Sequence, residues 1–325
     1  MKKISIITQH DISSVNGSTV RPKWQIKALE KAGFVDAEIV DNFNINKLEK
    51  INNNLIHAHQ FSGRLLEKEK YFVDIHGLEH IQSKNLVKGY PITSWKKYAY
   101  IAKSIYYKKV EQKLFRNATH LICSSEDIQE KVQKIQNSTL IRNAVFVDEF
   151  LPCKNSELEI VLVGPFLPGT INFDGLEIIL KIVKKFHKIR FRFIGKTNEF
   201  FKNQLNYKNT EFLGVVDNYQ DVLRQHSVLF APYPNHAKYL GSKNKFLEAA
   251  ACKMPIITTS SGAVDFRNDL LSIGNNTKEI SDIIEMLMDE NSRKEIGNKL
   301  RLEIEQKYNA EIEIKKLIKL YNEYS

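Results

Sequence analysis

Gly241-Ser-Lys-Asn-Lys-Phe-Leu-Glu-Ala-Ala-Ala-Cys-Lys-Met-Pro-Ile-Ile-Thr-Thr259 decides how the rest of the chain is read. A loop with glycine and two lysines enters a run of strong helix formers, and Pro255 then introduces a β-branched strand. This order places Gly241, Ser242, Lys243, Asn244 and Lys245 at a helix N-terminus, with Glu248 about one turn inside. Exposed amides and the positive end of the helix dipole suit such a site to phosphate groups. Lys243 or Lys245 would add a cationic donor, and Glu248 is placed to accept hydrogen bonds from a ribose. The same residues also describe a plain capped helix on a sheet, its carboxylate favoured by the dipole.

Outward from this stretch, short β-branched runs alternate with helical segments, which predicts βα units and parallel sheets. In the first half, strands are expected near Ile4–Thr8, Glu38–Val40, Leu55–His59, Tyr71–Ile75, His120–Cys123 and Thr139–Ile141. A helix from Pro22 to Ala32 has proline at its start and Gly33 at its end, and a long helix covers Ser94 to Arg116. The pattern restarts at Glu159, with strands near Phe191–Ile194, Thr210–Leu213, Val228–Ala231, Ile256–Thr258 and Leu270–Ile273. From Thr277 onward the chain reads as helical, and the polar stretch Pro152 to Glu157 reads as a linker.

The chain's 325 residues suit two domains rather than one core. Hydrophobic content of 42% and charged content of 26% are those of an ordinary globular protein. Cys123, Cys153 and Cys252 show no paired spacing, which argues against a disulfide framework or a zinc site and fits a reducing compartment. The start, Met1-Lys-Lys-Ile-Ser-Ile-Ile-Thr8, carries too short an apolar run for a signal peptide and reads as a buried strand. No window is apolar for long enough to span a bilayer. The expected location is cytoplasmic, or peripheral at the inner face of the cell membrane.

Glu248-Ala-Ala-Ala-Cys-Lys-Met-Pro255-Ile256 after a glycine loop resembles the donor-binding motif of retaining glycosyltransferases of the GT-B fold (family 4, or group 1). Other segments resemble the family in the same order. These are Thr8 to Gly33, His57-Ala-His59, Asp74-Ile-His76-Gly77, Ala118 to Glu126, Ile141 to Phe150, Glu159 to Gly164, Phe191 to Gly195 and Glu211 to Val216. The resemblance implies an α/β architecture of two Rossmann-like, doubly wound parallel-sheet domains facing a central cleft. It divides the chain into an acceptor-side domain over 1–152, a donor-side domain over 153–308, and a helix over 309–325 that returns to the first domain.

The implied reaction moves a sugar from a nucleoside-diphosphate sugar to a glycan or lipid-linked glycan, with retained configuration and no cofactor. His76, Lys245 and Glu248 are the catalytic candidates. The donor would be held by Gly17, Gly164, Lys196, Gly214, Val215, Pro232, Gly241, Ser242, Lys243, Asn244, Lys245 and Glu248. Leu240 stands where the family often has a first glutamate, and no Arg and Lys pair follows Gly164. The chain is closer to a subgroup with a Pro-Asn-like turn there, in which Lys245 is the leading phosphate contact. The alternative is a non-catalytic nucleotide-sugar-binding module or partner subunit. No Asp-x-Asp sequence occurs, so no metal is implied. His57 and His59 are expected to alternate in direction along their strand, one packed and one near the cleft.

The net charge of +10 is unevenly spread. Between Lys84 and Arg116, nine basic residues face one acid, Glu111, for a net +8, with Trp95, Tyr98, Tyr100, Tyr106 and Tyr107 interleaved. A solvated basic helix over core aromatics explains this pattern, and so does a face for an anionic membrane surface. No nucleic-acid motif accompanies the charge.

Overall fold

A computed structural model describes residues 4–13, 17–34, 37–44, 46–47, 51, 55–66, 70–154, 156–238, 243–264, 266 and 268–324. The chain divides into two compact units. One comprises Met1–Phe146, Leu240–Asn244 and Lys307–Ser325, and the other Val147–Tyr239 and Lys245–Gln306.

The first unit is built on β1 (Ile4–Ile7), α1 (Gly17–Lys31), β2 (Ala37–Val40), β3 (Leu55–His59), β4 (Tyr71–Ile75), α2 (Glu79–Leu86), α3 (Trp95–Asn117), β5 (His120–Cys123), α4 (Glu126–Val132) and β6 (Ser138–Leu140). Its six parallel strands run in the order β2-β1-β3-β4-β5-β6. The direction of winding therefore reverses between β1 and β3, where doubly wound sheets open a crevice at their C-terminal edge. The strands β1, β3, β4 and β5 are buried along their whole length, the signature of a sheet covered on both faces.

The second unit holds β7 (Glu159–Val163), α5 (Ile171–Asp174), α6 (Leu176–Lys185), β8 (Arg190–Ile194), α7 (Glu199–Gln204), β9 (Thr210–Gly214), α8 (Tyr219–Leu223), β10 (Val228–Ala231), α9 (Asn244–Ala251), β11 (Ile256–Thr258), β12 (Ser272–Ile273), α10 (Thr277–Met286) and α11 (Glu290–Lys307). Its order is β12-β11-β10-β7-β8-β9, again all parallel, with the reversal between β10 and β7. On α6, Ile179, Ile182 and Val183 are buried at helical spacing and join Phe191, Phe193 and Phe230 in one core.

The last helix, α12 (Ala310–Tyr324), belongs to the first unit. Ala310, Ile314, Leu317, Leu320 and Tyr321 share a core cluster with Ile4, Ile6, Trp24 and Phe72.

Three expectations change. The helix expected from Pro22 begins at Gly17, so Pro22 lies inside α1, where it forfeits one backbone hydrogen bond. The units divide at 146/147, not at 152/153. Arg301 donates to the Phe150 carbonyl, which ties the residues before 152 to the second unit, and the Cys153 and Lys154 N–H groups donate to the Cys252 and Arg224 carbonyls of the same unit. Finally, His57 and His59 do not point apart. Residues two apart on a strand share a face, and their rings stack at 4.6 Å, both buried.

Candidate functional site

In the second unit, the C-terminal strand edge is shaped by glycines. The Gly164 N–H donates to the Ile194 carbonyl at 2.7 Å, and the Gly195 N–H to the Gly214 carbonyl at 2.6 Å. Gly195 has φ +119°, and a Cβ there would stand 3.3 Å from the Gly164 Cα. Glycine is therefore needed where the ends of β7 and β8 touch. Across the winding reversal, a Cβ on Gly175 would meet the Pro232 carbonyl oxygen at 2.5 Å, so the start of α6 lies against the end of β10.

Lys245 reaches into this edge. Its Nζ donates to the Val163 carbonyl at 2.9 Å and to Asn172 Oδ1 at 2.6 Å, and it lies 5.2 Å from the centre of the Tyr233 ring. The ammonium is thus fixed beside the end of β7, one residue before Gly164. About a turn along α9, Glu248 accepts from the Tyr219 hydroxyl at 2.9 Å. Burial pushes the Glu248 carboxyl up, against the opposing effects of Tyr219 and Lys245. Burial and the Glu248 charge push the Tyr219 hydroxyl well above its usual range, so it stays a donor.

The other predicted donor residues are placed as follows. Asn244 opens α9 and Lys243 precedes it, both half-buried. Gly214 ends β9 with φ +68°, while Val215 and Lys196 are exposed beyond the strand ends. Pro232 is buried just after β10. Gly17 is the first residue of α1 in the other unit. Gly241 and Ser242 lie outside the described residues.

His76 follows β4 in the first unit, within a buried polar network. Arg21 Nε donates to Asp74 Oδ1 at 2.6 Å, and Gln25 Nε2 donates to Oδ2 at 2.8 Å. The remaining guanidinium nitrogens of Arg21 donate to Asn143 Oδ1 and the Ile141 carbonyl. His57 Nε2 donates to Asp74 Oδ2 at 3.1 Å, and its Nδ1 is 2.5 Å from the Tyr321 hydroxyl. Burial alone would raise the Asp74 carboxyl. The Arg21 charge and the His57 hydrogen bond outweigh it and hold the group well below the usual carboxylate range.

His59 Nδ1 and His76 Nε2 share a hydrogen bond of 2.8 Å. Burial holds His59 well below its ordinary value and lowers His76 to about 4, so both rings are neutral at physiological pH. The amide of Gln60, oriented to satisfy its surroundings, accepts from the His76 and Gly77 N–H groups at 3.1 Å. Thr8, Thr19, His59, Gln60, Phe61 and His76 line a cavity of about 390 Å³ at the C-terminal edge, beside the β1/β3 reversal.

Among the described residues, His57, His59 and Asp74 are the trio whose ligand atoms could gather on a metal ion. Both ring nitrogens of His57 and both oxygens of Asp74 are already engaged, and a cation there would meet the Arg21 guanidinium. A second cavity, of about 350 Å³, lies between Ser227, Pro255 and Arg293 at the N-terminal ends of β10 and β11, on the side away from Lys245.

Residues 157–290 match the family described as "Glycosyl transferases group 1". Over this stretch the chain is similar to group 1 glycosyltransferases. Lys245, Glu248, Gly164 and Gly214 all lie in it. The two parallel six-stranded sheets match the paired Rossmann-like domains of GT-B glycosyltransferases. Sucrose-phosphate synthase from Thermosynechococcus elongatus superposes with a TM-score of 0.75 at 16% identity, over 100% of this chain and 99% of that one. Anabaena HepE, solved with UDP and glucose, gives 0.70 at 11% identity over 99% and 100%. WaaG, a glycosyltransferase of lipopolysaccharide biosynthesis, gives 0.66 at 10% identity over 93% and 95%. At these identities the likeness is one of fold. No curated protein matches the chain in sequence.

Sequence reasoning missed Tyr219 and the Arg21–Asp74 network around His76. A signal for the network exists: Arg21 and Gln25 are four apart on the face of α1 that buries Trp24, Ala28 and Leu29.

Proposed function

We propose that the protein is a glycosyltransferase that moves a sugar from a nucleoside-diphosphate sugar to a glycan or lipid-linked glycan, with retention of configuration. The observation that carries this reading is Lys245, fixed at the winding reversal of a group 1 domain, with Glu248 a turn further along α9. Negative charge grows on the leaving diphosphate as the glycosidic bond breaks. A preorganised ammonium stabilises this charge as it develops. Glu248, held by Tyr219, is assigned to the ribose hydroxyls of the donor.

His76 is assigned to the sugar. A neutral imidazole suits this role, since it can hydrogen-bond a hydroxyl without opposing positive charge at the anomeric carbon. The donor diphosphate is neutralised by lysine and helix amides rather than by a divalent ion, in keeping with the missing Asp-x-Asp sequence. A lipid-linked acceptor would place the protein at the cytoplasmic face of the cell membrane.

The test is a panel of nucleotide sugars, beginning with UDP sugars because HepE is solved with UDP-glucose. Nucleoside diphosphate release is followed with and without EDTA, and the product anomer is read by proton NMR. Binding of a nucleotide sugar with no turnover of any donor would instead identify a binding module.

A further inference from the structure

The α3 helix presents several of its apolar residues outward. At 23 residues it is about 34 Å long, roughly twice the length of the five-residue strands beside it. Its buried residues are only Glu111, Leu114 and Phe115, in the last two turns. Earlier, the inner face carries Tyr100, stacked on Tyr90 at 5.6 Å, Ser104, which donates to the His80 carbonyl, and Tyr107, stacked on Phe61 at 5.5 Å. Two of the strip's five interleaved aromatics, Tyr100 and Tyr107, are thus packed inside.

The opposite face is exposed. Trp95, Tyr98, Ala102, Ile105 and Tyr106 fall within an arc of about 100° on the helix. Trp95 is 73% exposed and Ile105 57%. Lys109, Lys113 and Arg116 continue the same arc toward the C-terminus, and Lys103 flanks one side of it while Lys108 flanks the other. The one acid of the strip, Glu111, is buried. It accepts from the Glu79 N–H and pairs with His80. The outward surface from Lys84 to Arg116 therefore carries positive charge alone.

We propose that this face of α3 docks on an anionic bilayer surface, with Trp95, Tyr98 and Ile105 at headgroup depth and the lysines on lipid phosphates. A Trp and Tyr stripe flanked by lysines matches the interfacial pattern in both polarity and charge. A second copy of the chain matches it poorly. Self-pairing would bring two cationic faces together, and the apolar spacing breaks at Lys109 after about two heptads, short of a stable coiled coil. Among the described residues no helix is long and apolar enough to cross a membrane, so the contact is a reversible surface one. This surface deepens the membrane location proposed above, and it is testable by binding alone.

The full protein is sedimented with vesicles of neutral phosphatidylcholine and with vesicles that include phosphatidylglycerol, at low and high salt. Of the two tryptophans, Trp24 is buried in the core, so a blue shift of emission on vesicle addition reports Trp95. Binding is expected to anionic vesicles only and to weaken at high salt. It should fall roughly fivefold in Lys109→Gln and roughly tenfold or more in Tyr98→Ser with Ile105→Ser. These residues are exposed, so the thermal midpoint should hold. Equal binding to both vesicles, or to neither, overturns the proposal. So does a dimer in solution that Ile105→Ser dissociates, which would make a second copy the occupant. Docking without turnover keeps this surface and removes the transfer reading; turnover without docking does the reverse.

Discussion

The Nζ of Lys245 donates to the Val163 carbonyl oxygen at 2.9 Å, so the first turn of α9 is pinned to the end of β7. The contact holds a cation where the sheet reverses its winding, with Asn172 Oδ1 as a second anchor. Lys245→Ala should lower kcat by roughly 100-fold, the scale for one preorganised electrostatic donor, while KM changes little. Steady-state kinetics on the donor found in the panel checks this. Lys243→Ala as the inactive variant, with Lys245→Ala active, would transfer the role to Lys243.

Glu248→Ala should weaken nucleotide-sugar binding by about 1.5–3 kcal/mol, the range for a charge-assisted hydrogen bond. Tyr219→Phe releases the carboxylate without removing it, and its expected loss is about 1 kcal/mol, or roughly fivefold in Kd. Calorimetry on both variants separates a direct contact from its support. Unchanged affinity in Glu248→Ala, with the fold intact, would remove the ribose assignment.

Much of this was legible in the sequence, for a physical reason. Alternating βα segments and the glycine loop before Glu248 depend on neighbours in the chain, and local pattern carries such information. The parallel sheets and the helical run that ends the chain followed from it. The partners of Asp74 did not. Arg21 and Gln25 from α1 and His57 from β3 converge on it, Tyr321 from α12 holds the other ring nitrogen of His57, and sequence separation hides that convergence. The Tyr219 contact to Glu248 spans two helices and was equally hidden. Pro22 misled for a different reason. Proline favours a helix start, yet α1 begins at Gly17, and Thr19 and Arg21 are buried upstream of Pro22.

Asp74→Ala should cost the fold about 3–5 kcal/mol, because it leaves the Arg21 guanidinium buried without its counter-charge. Urea unfolding measures this. A loss below about 1 kcal/mol would mean that water or another group takes the place of the carboxylate.

His76→Ala should lower kcat by at least about tenfold and leave the affinity for free nucleotide unchanged, because the assigned contact is to the sugar. A large loss of affinity for bare nucleotide would place His76 elsewhere.

Acid should destabilise the first unit early. His76 titrates near 4 in the folded protein, below its ordinary value of 6.5, because burial disfavours its charged form. The unfolded chain therefore takes up protons first. The stability that the neutral ring contributes is complete above pH 6.5 and is lost as pH falls toward 4, at up to about 1.4 kcal/mol per pH unit. His59 shifts in the same direction for the same reason and steepens the fall. Thermal midpoints across this window, compared with His76→Gln, give the contribution directly. A midpoint that stays flat between pH 6.5 and 4 would contradict the buried neutral pair.

In the proposed reaction the donor diphosphate sits at the start of α9. A crystal of the protein grown with nucleoside diphosphate tests it most directly. Diphosphate density is expected within hydrogen-bonding reach of Lys245 Nζ and the first amides of α9, with the ribose against Glu248. Nucleotide bound elsewhere on the chain, with Lys245 still held by Val163 and Asn172 alone, would contradict it.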